Sequence, residues 1–357
     1  MKINKLLSVA AVTAILFLSC TQKETGSVAE ISLSGVDVAE PTAYLGGFPI
    51  MFSGDTLIEQ TSYTDSLFTM STLCGDSLNV IANFGKKGNG PFELTKGNIV
   101  KKSDGSLLII DTSAGFISNI YEVAADALHD TDRWTQYKIG AEKCIPYSSA
   151  IAIGDSSLLM LSAPILDVTS IMSTLNYKTA QMSPVEFWPE DGYDGPATPK
   201  FMAYMTDSHL FKGPGDNYLY HCGNSDLTII FNIENNRVNI KHLINDKYPE
   251  YKAAADGLNY TSDKPADHIL QCTANQKHIY ILNYGKDATG APATKPQDIK
   301  YGDEVDVYDW DGRLIRKYIL DKGGYYIYVN GNDTELFLCT VDPESGEKAF
   351  VNYRLPE

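Results

Sequence analysis

Few of the residue patterns that announce catalysis occur in this chain. Its six histidines form no HxH or HExxH pair, so the spacing that puts two imidazoles on one metal is missing. No GxSxG element offers a strained nucleophile turn. Six cysteines are scattered at positions 20, 74, 144, 222, 272 and 339 without a CxxC pair. That excludes the common zinc and redox spacings and leaves most of these thiols to act as small buried apolar groups. The glycine-rich stretch from Gly85 to Gly90 lacks the G-K-[ST] ending of a phosphate loop. Basic charge is also short: 29 Lys and Arg stand against 45 Asp and Glu, a net charge of −16. Such a surface repels phosphate backbones, so no nucleic-acid partner is expected. No metal or cofactor site is expected, and no catalytic set is recognisable.

Long apolar runs are likewise absent, except at the start. Lys2 and Lys5 precede an apolar run from Leu6 to Leu18. It is shorter than the roughly 20 residues that span a bilayer and matches a signal-peptide core. Leu18-Ser19-Cys20 follows and resembles the processing box of bacterial lipoproteins. The resemblance implies a signal peptide over 1–19 and acylation of Cys20. It also implies a polar tether over 20–27 that attaches the exported body, 28–357, to a membrane. A cell-envelope, outer-membrane location is expected, facing either the periplasm or the surface.

What the chain has in quantity is short alternating or apolar segments, 22 tyrosines and turns rich in Gly, Asp, Asn and Ser. This is the pattern of an all-β protein. The segments repeat. Turns at Gly54-Asp55, Asp104-Gly105, Gly154-Asp155, Gly215-Asp216, Asn275-Gln276 and Gly323-Gly324 each lead into an apolar run. A period of roughly 50–60 residues with several strands per unit predicts propeller blades. Paired β-sandwiches, the alternative, require no such period.

The second unit parses most clearly, with strands starting near Asn98, Leu107, Phe116 and Thr135. The last unit supplies only three, near Tyr325, Glu335 and Lys348. The alternating segment 28–36 is expected to provide the missing outer strand, giving a six-bladed β-propeller of four-stranded antiparallel blades closed by the N-terminus. A short helix is expected within 245–257 and a long surface loop over 284–300.

Ahead of the second unit, Phe84-GKKGNGPFEL and the strand–turn–strand that follows from Asn98 resemble NHL-type propellers and the TolB-like six-bladed propeller lipoproteins of Bacteroidota. Gly85, Gly88, Gly90, Pro91 and Glu93 match the family element. Phe92 stands where the family usually has Gly, and Leu94 where it has Phe. The resemblance implies fold and location rather than an activity.

Candidate site residues follow from the blade assignment. His209 and His268 fall near the innermost strands of the fourth and fifth units, at the channel mouth. Tyr325, Tyr326 and Tyr328, and Trp188 beside Pro189, are aromatics suited to sugar stacking or a protein partner. Asp309–Gly312 and Asn330–Asp333 contain oxygen-bearing side chains but lack the full calcium-loop pattern and fit hairpin turns. The function expected is a membrane-anchored binding or scaffolding module for a glycan or protein partner. The alternative is a propeller-type lactonase, lyase or glycan-cleaving enzyme with its site at the channel.

Overall fold

The computed structural model describes residues 28–39, 47–62, 64–113, 116–140, 147–163, 168–261, 271–283, 301–341 and 348–356. Two short strands, β1 (Ala29–Leu33) and β2 (Val36–Asp37), come first. The first blade contains β3 (Phe48–Ser53), β4 (Thr56–Gln60), β5 (Ser66–Cys74) and β6 (Ser77–Lys86). The second contains β7 (Gly97–Lys101), β8 (Leu107–Ser113), β9 (Phe116–Val123) and β10 (Thr135–Lys138). The third contains β11 (Tyr147–Ala152), β12 (Ser157–Ser162), β13 (Met172–Asn176) and β14 (Gln181–Val185). Helix α1 (Ala197–Met205) precedes the fourth blade, β15 (His209–Lys212), β16 (Tyr218–His221), β17 (Thr228–Glu234) and β18 (Arg237–Asn245). A small hairpin, β19 (Lys252–Ala253) with β20 (Tyr260–Thr261), leads to the fifth blade. That blade holds β21 (Gln271–Ala274), β22 (His278–Asn283), β23 (Gly302–Asp309) and β24 (Leu314–Gly324). The sixth contains β25 (Tyr326–Val329), β26 (Glu335–Val341) and β27 (Lys348–Arg354).

Every blade is antiparallel and in sequence order, so each is a simple meander. Its second strand is buried on both faces, and the alternation decides which neighbour each side chain meets. Leu107 and Ile109 pack with Ile58, Phe68 and Phe84 of the first blade, while Leu108 and Ile110 pack with Leu158 and Met160 of the third. The same division continues around the molecule. Leu159 and Leu161 meet Tyr220 and Phe231, and Leu219 meets Ile279 and Ile281. Tyr280 and Leu282 meet Leu336 and Leu338, and Phe337 and Cys339 return to Leu57 and Leu73 of the first blade. Apolar interfaces thus run from every blade to the next and close the circle. The first strands of successive blades also neighbour one another, β3 with β7, β7 with β11, β11 with β15, β15 with β21 and β21 with β25. They surround the axis, and Phe48 of β3 meets Tyr326 of β25 to complete the ring.

Closure uses the N-terminus, with a division of labour the sequence pattern did not separate. Val36–Asp37 pairs antiparallel with β27 as the fourth strand of the sixth blade. Ala29–Leu33 instead adds to the outer strand of the fifth blade, parallel to β24. Asp321 on β24 fastens the corner between them, accepting from Ser34 Oγ at 3.0 Å and the Gly35 amide at 3.1 Å. The free edges that would invite edge-to-edge association are thereby covered on both blades.

Two expectations are corrected. The sixth turn is not Gly323-Gly324, which ends β24, but Asn330–Thr334, where Asn330 Oδ1 accepts from the Thr334 amide at 2.9 Å. The helix expected within 245–257 is an extended segment followed by β19 and its turn. Asp256 Oδ1 accepts from the amides of Leu258 and Asn259, both at 2.9 Å, and Gly257 has φ +67°. This local carboxylate–amide bonding competes with helix hydrogen bonds. The long loop expected over 284–300 lies outside the described residues, as do the leader and tether.

The family-like element at 84–94 joins the first two blades. Glu93 folds back to accept from the Gly90 amide at 2.8 Å and pairs with Lys86 at 2.5 Å. A Cβ on Gly88 would stand 2.0 Å from the Glu93 carboxylate, so the side chain of Glu93 occupies the space that glycine leaves. Phe92 has φ +61°, a left-handed conformation that glycine adopts without steric cost. Its ring packs 5.7 Å from Tyr121, a contact glycine could not make.

Candidate functional site at one mouth of the channel

A meander with this strand order sorts its connections by face. The turns between first and second strands, and between third and fourth, emerge at one end of the propeller. Connections from second to third strands, and from blade to blade, emerge at the other. The first face is built mainly of tight turns, including those at Gly54, Gly75, Gly105, Gly215 and Gly312, all with positive φ. The second carries α1, the β19–β20 hairpin and the stretch from Glu186 to Ser208.

At this second face the innermost strands begin, and of those whose first side chain is described, three start with a ring. Phe48 opens β3 and is 57% exposed. Tyr326 opens β25, its ring edge-on to Phe48 at 5.5 Å and 87°. His209 opens β15. Alternation then points every second residue of a first strand along the same wall. Tyr328 stacks beneath Tyr326 at 6.5 Å and 17°, Phe52 lies 5.2 Å from Tyr328, and Phe211 lies 6.2 Å from His209. Tyr325 and Tyr301 extend the aromatic group outward, at 5.3 Å from Tyr326 and 6.1 Å from Tyr325 respectively.

Electrostatics at the mouth are set by burial and by Asp207. Burial, and then the Asp207 carboxylate, push the Tyr326 phenol up to about 12. Burial holds the His209 imidazole below its ordinary value, and Asp207 opposes the shift without reversing it. His209 is half-buried by surface yet closely surrounded by protein, so it is neutral at pH 7. Asp207 is exposed, with φ +53°. Gly223 makes this backbone possible, because a Cβ there would stand 2.1 Å from the Asp207 carbonyl oxygen. Below Phe48, Lys348 pairs with the fully buried Glu59 and donates to the Gly47 carbonyl at 3.0 Å. This ion pair ties the sixth blade to the first at the point where the ring closes.

A second polar group anchors the connections. Asp191 accepts from Lys200 Nζ at 2.8 Å, from Tyr204 at 2.9 Å, from Tyr251 at 2.7 Å and from the Tyr193 amide at 3.1 Å. Both charged side chains are at most 5% exposed. Lys200 also donates to the Pro189 carbonyl at 2.5 Å and lies 5.1 Å from the Trp188 ring. Burial pushes the Asp191 carboxyl up. The hydrogen bonds from Lys200, Tyr251, the Tyr193 amide and Tyr204 outweigh it and hold the group below the carboxylate range.

Of the residues singled out from sequence, His209, Tyr325, Tyr326 and Tyr328 stand together at this face. Trp188 belongs to the Lys200 cluster, and His268 lies outside the described residues. Asp309–Gly312 and Asn330–Asp333 form the expected turns, with Asp309 capping the Asp311 and Arg313 amides. Among the described residues no three His, Cys, Asp or Glu side chains gather as a metal site. Phe48 and Asp207 were not singled out. Phe48 carried a signal, being the first residue of the first inner strand. Asp207 carried none, because its place depends on the preceding helix.

The geometry defines a class, a six-bladed β-propeller with an aromatic-walled mouth. Residues 188–332 match the TolB-like 6-blade propeller-like family, and the described chain is built as a six-bladed β-propeller. Among solved structures, it is similar to a candidate exported protein of Bacteroides fragilis. That match has a TM-score of 0.52 and 9% identity, over 92% of this chain and 100% of the other. A protein of unknown function from Bacteroides thetaiotaomicron matches with TM-score 0.45 and 12% identity, over 92% and 74% of the two chains. No curated protein matches.

Proposed function

We propose that the chain is an envelope lipoprotein, anchored through Cys20, whose propeller binds a glycan or protein partner at the aromatic mouth. The observation that carries this reading is the convergence of Phe48, Tyr325, Tyr326 and Tyr328 beside Asp207 and His209 on the face that bears the long connections. Rigid rings that keep an open edge, next to an exposed carboxylate, suit sugar stacking with hydroxyl hydrogen bonds, or the anchor residues of a protein interface.

The first described strand adds an orientation to this reading. Ala29 pairs with Arg316, just after the third-to-fourth-strand turn of the fifth blade. The segment leading back to Cys20 therefore begins beside the tight-turn face. Extended, residues 20–28 span at most about 30 Å. A lipid on Cys20 would hold the tight-turn face toward the membrane and present the aromatic mouth away from it.

Photo-cross-linking on intact cells tests this reading. A photoreactive phenylalanine analogue at position 48 is compared with the same residue at position 104 on the opposite face. Adducts formed from position 48 alone, recovered with the membrane fraction, are the expected result. Equal labelling from both positions would remove the mouth as the binding surface, and soluble adducts would remove the anchor.

A further inference from the structure

We propose that the tight-turn face holds a second binding site, for a small carboxylate-bearing molecule, in the cleft between the fifth and sixth blades. A cavity of about 270 Å³ opens there, with Lys277, His278, Asp333, Arg316 and Leu355 among its lining. It lies across the molecule from the aromatic mouth and shares no residue with it.

Its one carboxylate is already satisfied. Asp333 holds φ +58°, which turns its side chain back toward the fifth blade. Oδ1 accepts from Tyr280 at 3.0 Å and from Asn275 Nδ2; Oδ2 meets His278 Nδ1 at 3.0 Å, with Lys277 Nζ at 3.8 Å. Tyr280, Asn275 and His278 thus hold the carboxylate by hydrogen bonds, and the Lys277 ammonium stands outside hydrogen-bond distance.

Arg316 is in the opposite condition. It is half-buried, and its hydrogen bonds are long ones to neutral oxygens, at 3.3 Å to the Tyr318 hydroxyl and 3.4 Å to the Pro356 carbonyl. No carboxylate among the described residues comes within ion-pair distance of it. The next residue shows what this acidic chain ordinarily provides: Lys317 has Glu304 at 2.6 Å and Asp306 at 3.0 Å. A partly desolvated guanidinium with no counter-charge among the described residues is a place where a bound carboxylate would be favoured. The planar fork of Arg matches a carboxylate in two parallel hydrogen bonds, and Lys277 at the rim adds a second positive charge. Val307, Leu355 and Pro356 offer an apolar wall for a short hydrocarbon portion. The volume sits at the small end of ligand pockets, which excludes a glycan chain.

Calorimetric titration of the full chain with butyrate, at constant ionic strength, tests this site, with inorganic phosphate as comparator. Saturable one-to-one binding of butyrate is expected, weakened about tenfold or more by Arg316→Met, the loss of one charge-assisted pair. Lys277→Ala, on an exposed side chain, should weaken binding by a smaller factor and keeps the test alive if Arg316→Met does not fold. Phe48→Ala should leave it unchanged, which separates this site from the mouth. Absence of saturable butyrate binding, an unchanged affinity in both cavity variants, or tighter binding of phosphate than of butyrate would overturn the proposal.

Discussion

Each face of the propeller contains a lysine buried against a carboxylate and tyrosines, and the two clusters do different work. On the tight-turn face Lys102 pairs with Glu122, which also accepts from Tyr137 at 3.0 Å. All three residues belong to the second blade, and Tyr137 reaches Tyr177 of the third at 5.1 Å between rings. On the long-connection face Lys200 pairs with Asp191, and Tyr251 comes from the connection after the fourth blade. One cluster braces strands that the meander already holds by backbone hydrogen bonds. The other joins two connections that no shared sheet holds. Solvent access differs in the same sense: Glu122 is 21% exposed, Asp191 only 4%. A cluster that substitutes for sheet pairing has to be drier and more fully bonded than one that supplements it.

The largest effect is expected from Lys200→Met, which keeps the aliphatic stem and removes the charge. It leaves Asp191 buried with only neutral donors, a change that costs about 3–5 kcal/mol. Urea unfolding at pH 7 measures it. The pH dependence sharpens the point. In the wild type Asp191 titrates below its unfolded value, so its contribution is complete above about pH 4. It is lost as pH falls through the lower folded value. In the variant, burial is no longer outweighed, the carboxyl titrates higher, and stability declines at a higher pH than in the wild type. If Lys200→Met proved as mild as a surface change, the connections would be held by apolar packing alone, and the contrast between the faces would disappear.

The two faces also differ in how far they could be read from sequence. Tight turns announce themselves: Asp104-Gly105 and Asp309–Gly312 needed only local turn chemistry, and the strands around them fell where the alternation put them. Blade closure was legible as a shortage, because the sixth unit ended one strand short. The connections were not legible. Helix α1 follows Pro196 and carries Pro199 in its first turn, where a missing N–H costs little, and no helix is expected there from the sequence. The stretch 245–257 reads as a helix because of its alanines, and Asp256 with Gly257 overrides them. The site inherits this division. Tyr326 and Tyr328 follow from strand alternation, whereas Asp207 reaches the mouth only because α1 and Gly223 set its backbone. Asp191, Lys200 and Tyr251 are up to 60 residues apart in sequence, and no local pattern links them.

A smaller loss is expected from Lys102→Met. Burial lowers the ammonium's affinity for its proton, but Glu122 more than reverses this and raises it, so the pair is favourable as it stands. Removing the charge strands a carboxylate that water can still reach, at about 1–3 kcal/mol. The Tyr137 phenol sharpens the test. Burial and then the Glu122 carboxylate hold it at about 12. Removing Lys102, whose charge works in the opposite direction, should move it higher still, as ultraviolet phenol titration of the folded protein would register. A loss equal to that of Lys200→Met would mean that solvent access is not what separates the two clusters.

The smallest effect lies at the mouth itself, where the comparison predicts that stability and binding separate. Phe48 is more than half exposed and meets Tyr326 edge-on at 5.5 Å. Aromatic pairs contribute about 0.5–1.5 kcal/mol beyond their buried area, and an exposed partner belongs at the low end. A double-mutant cycle on Phe48→Ala and Tyr326→Ala should therefore return a coupling of about 0.5 kcal/mol in unfolding. The same two changes should remove the cross-linking partner of position 48 almost completely when the photoreactive group is moved to position 325. The meander supplies the stability of this face from below, through the Glu59–Lys348 pair and the interfaces on either side. Its rings are then free to be chosen for what they meet. A coupling of several kcal/mol would instead make Phe48 and Tyr326 the closure of the ring, and their exposure a by-product of holding the first blade to the sixth.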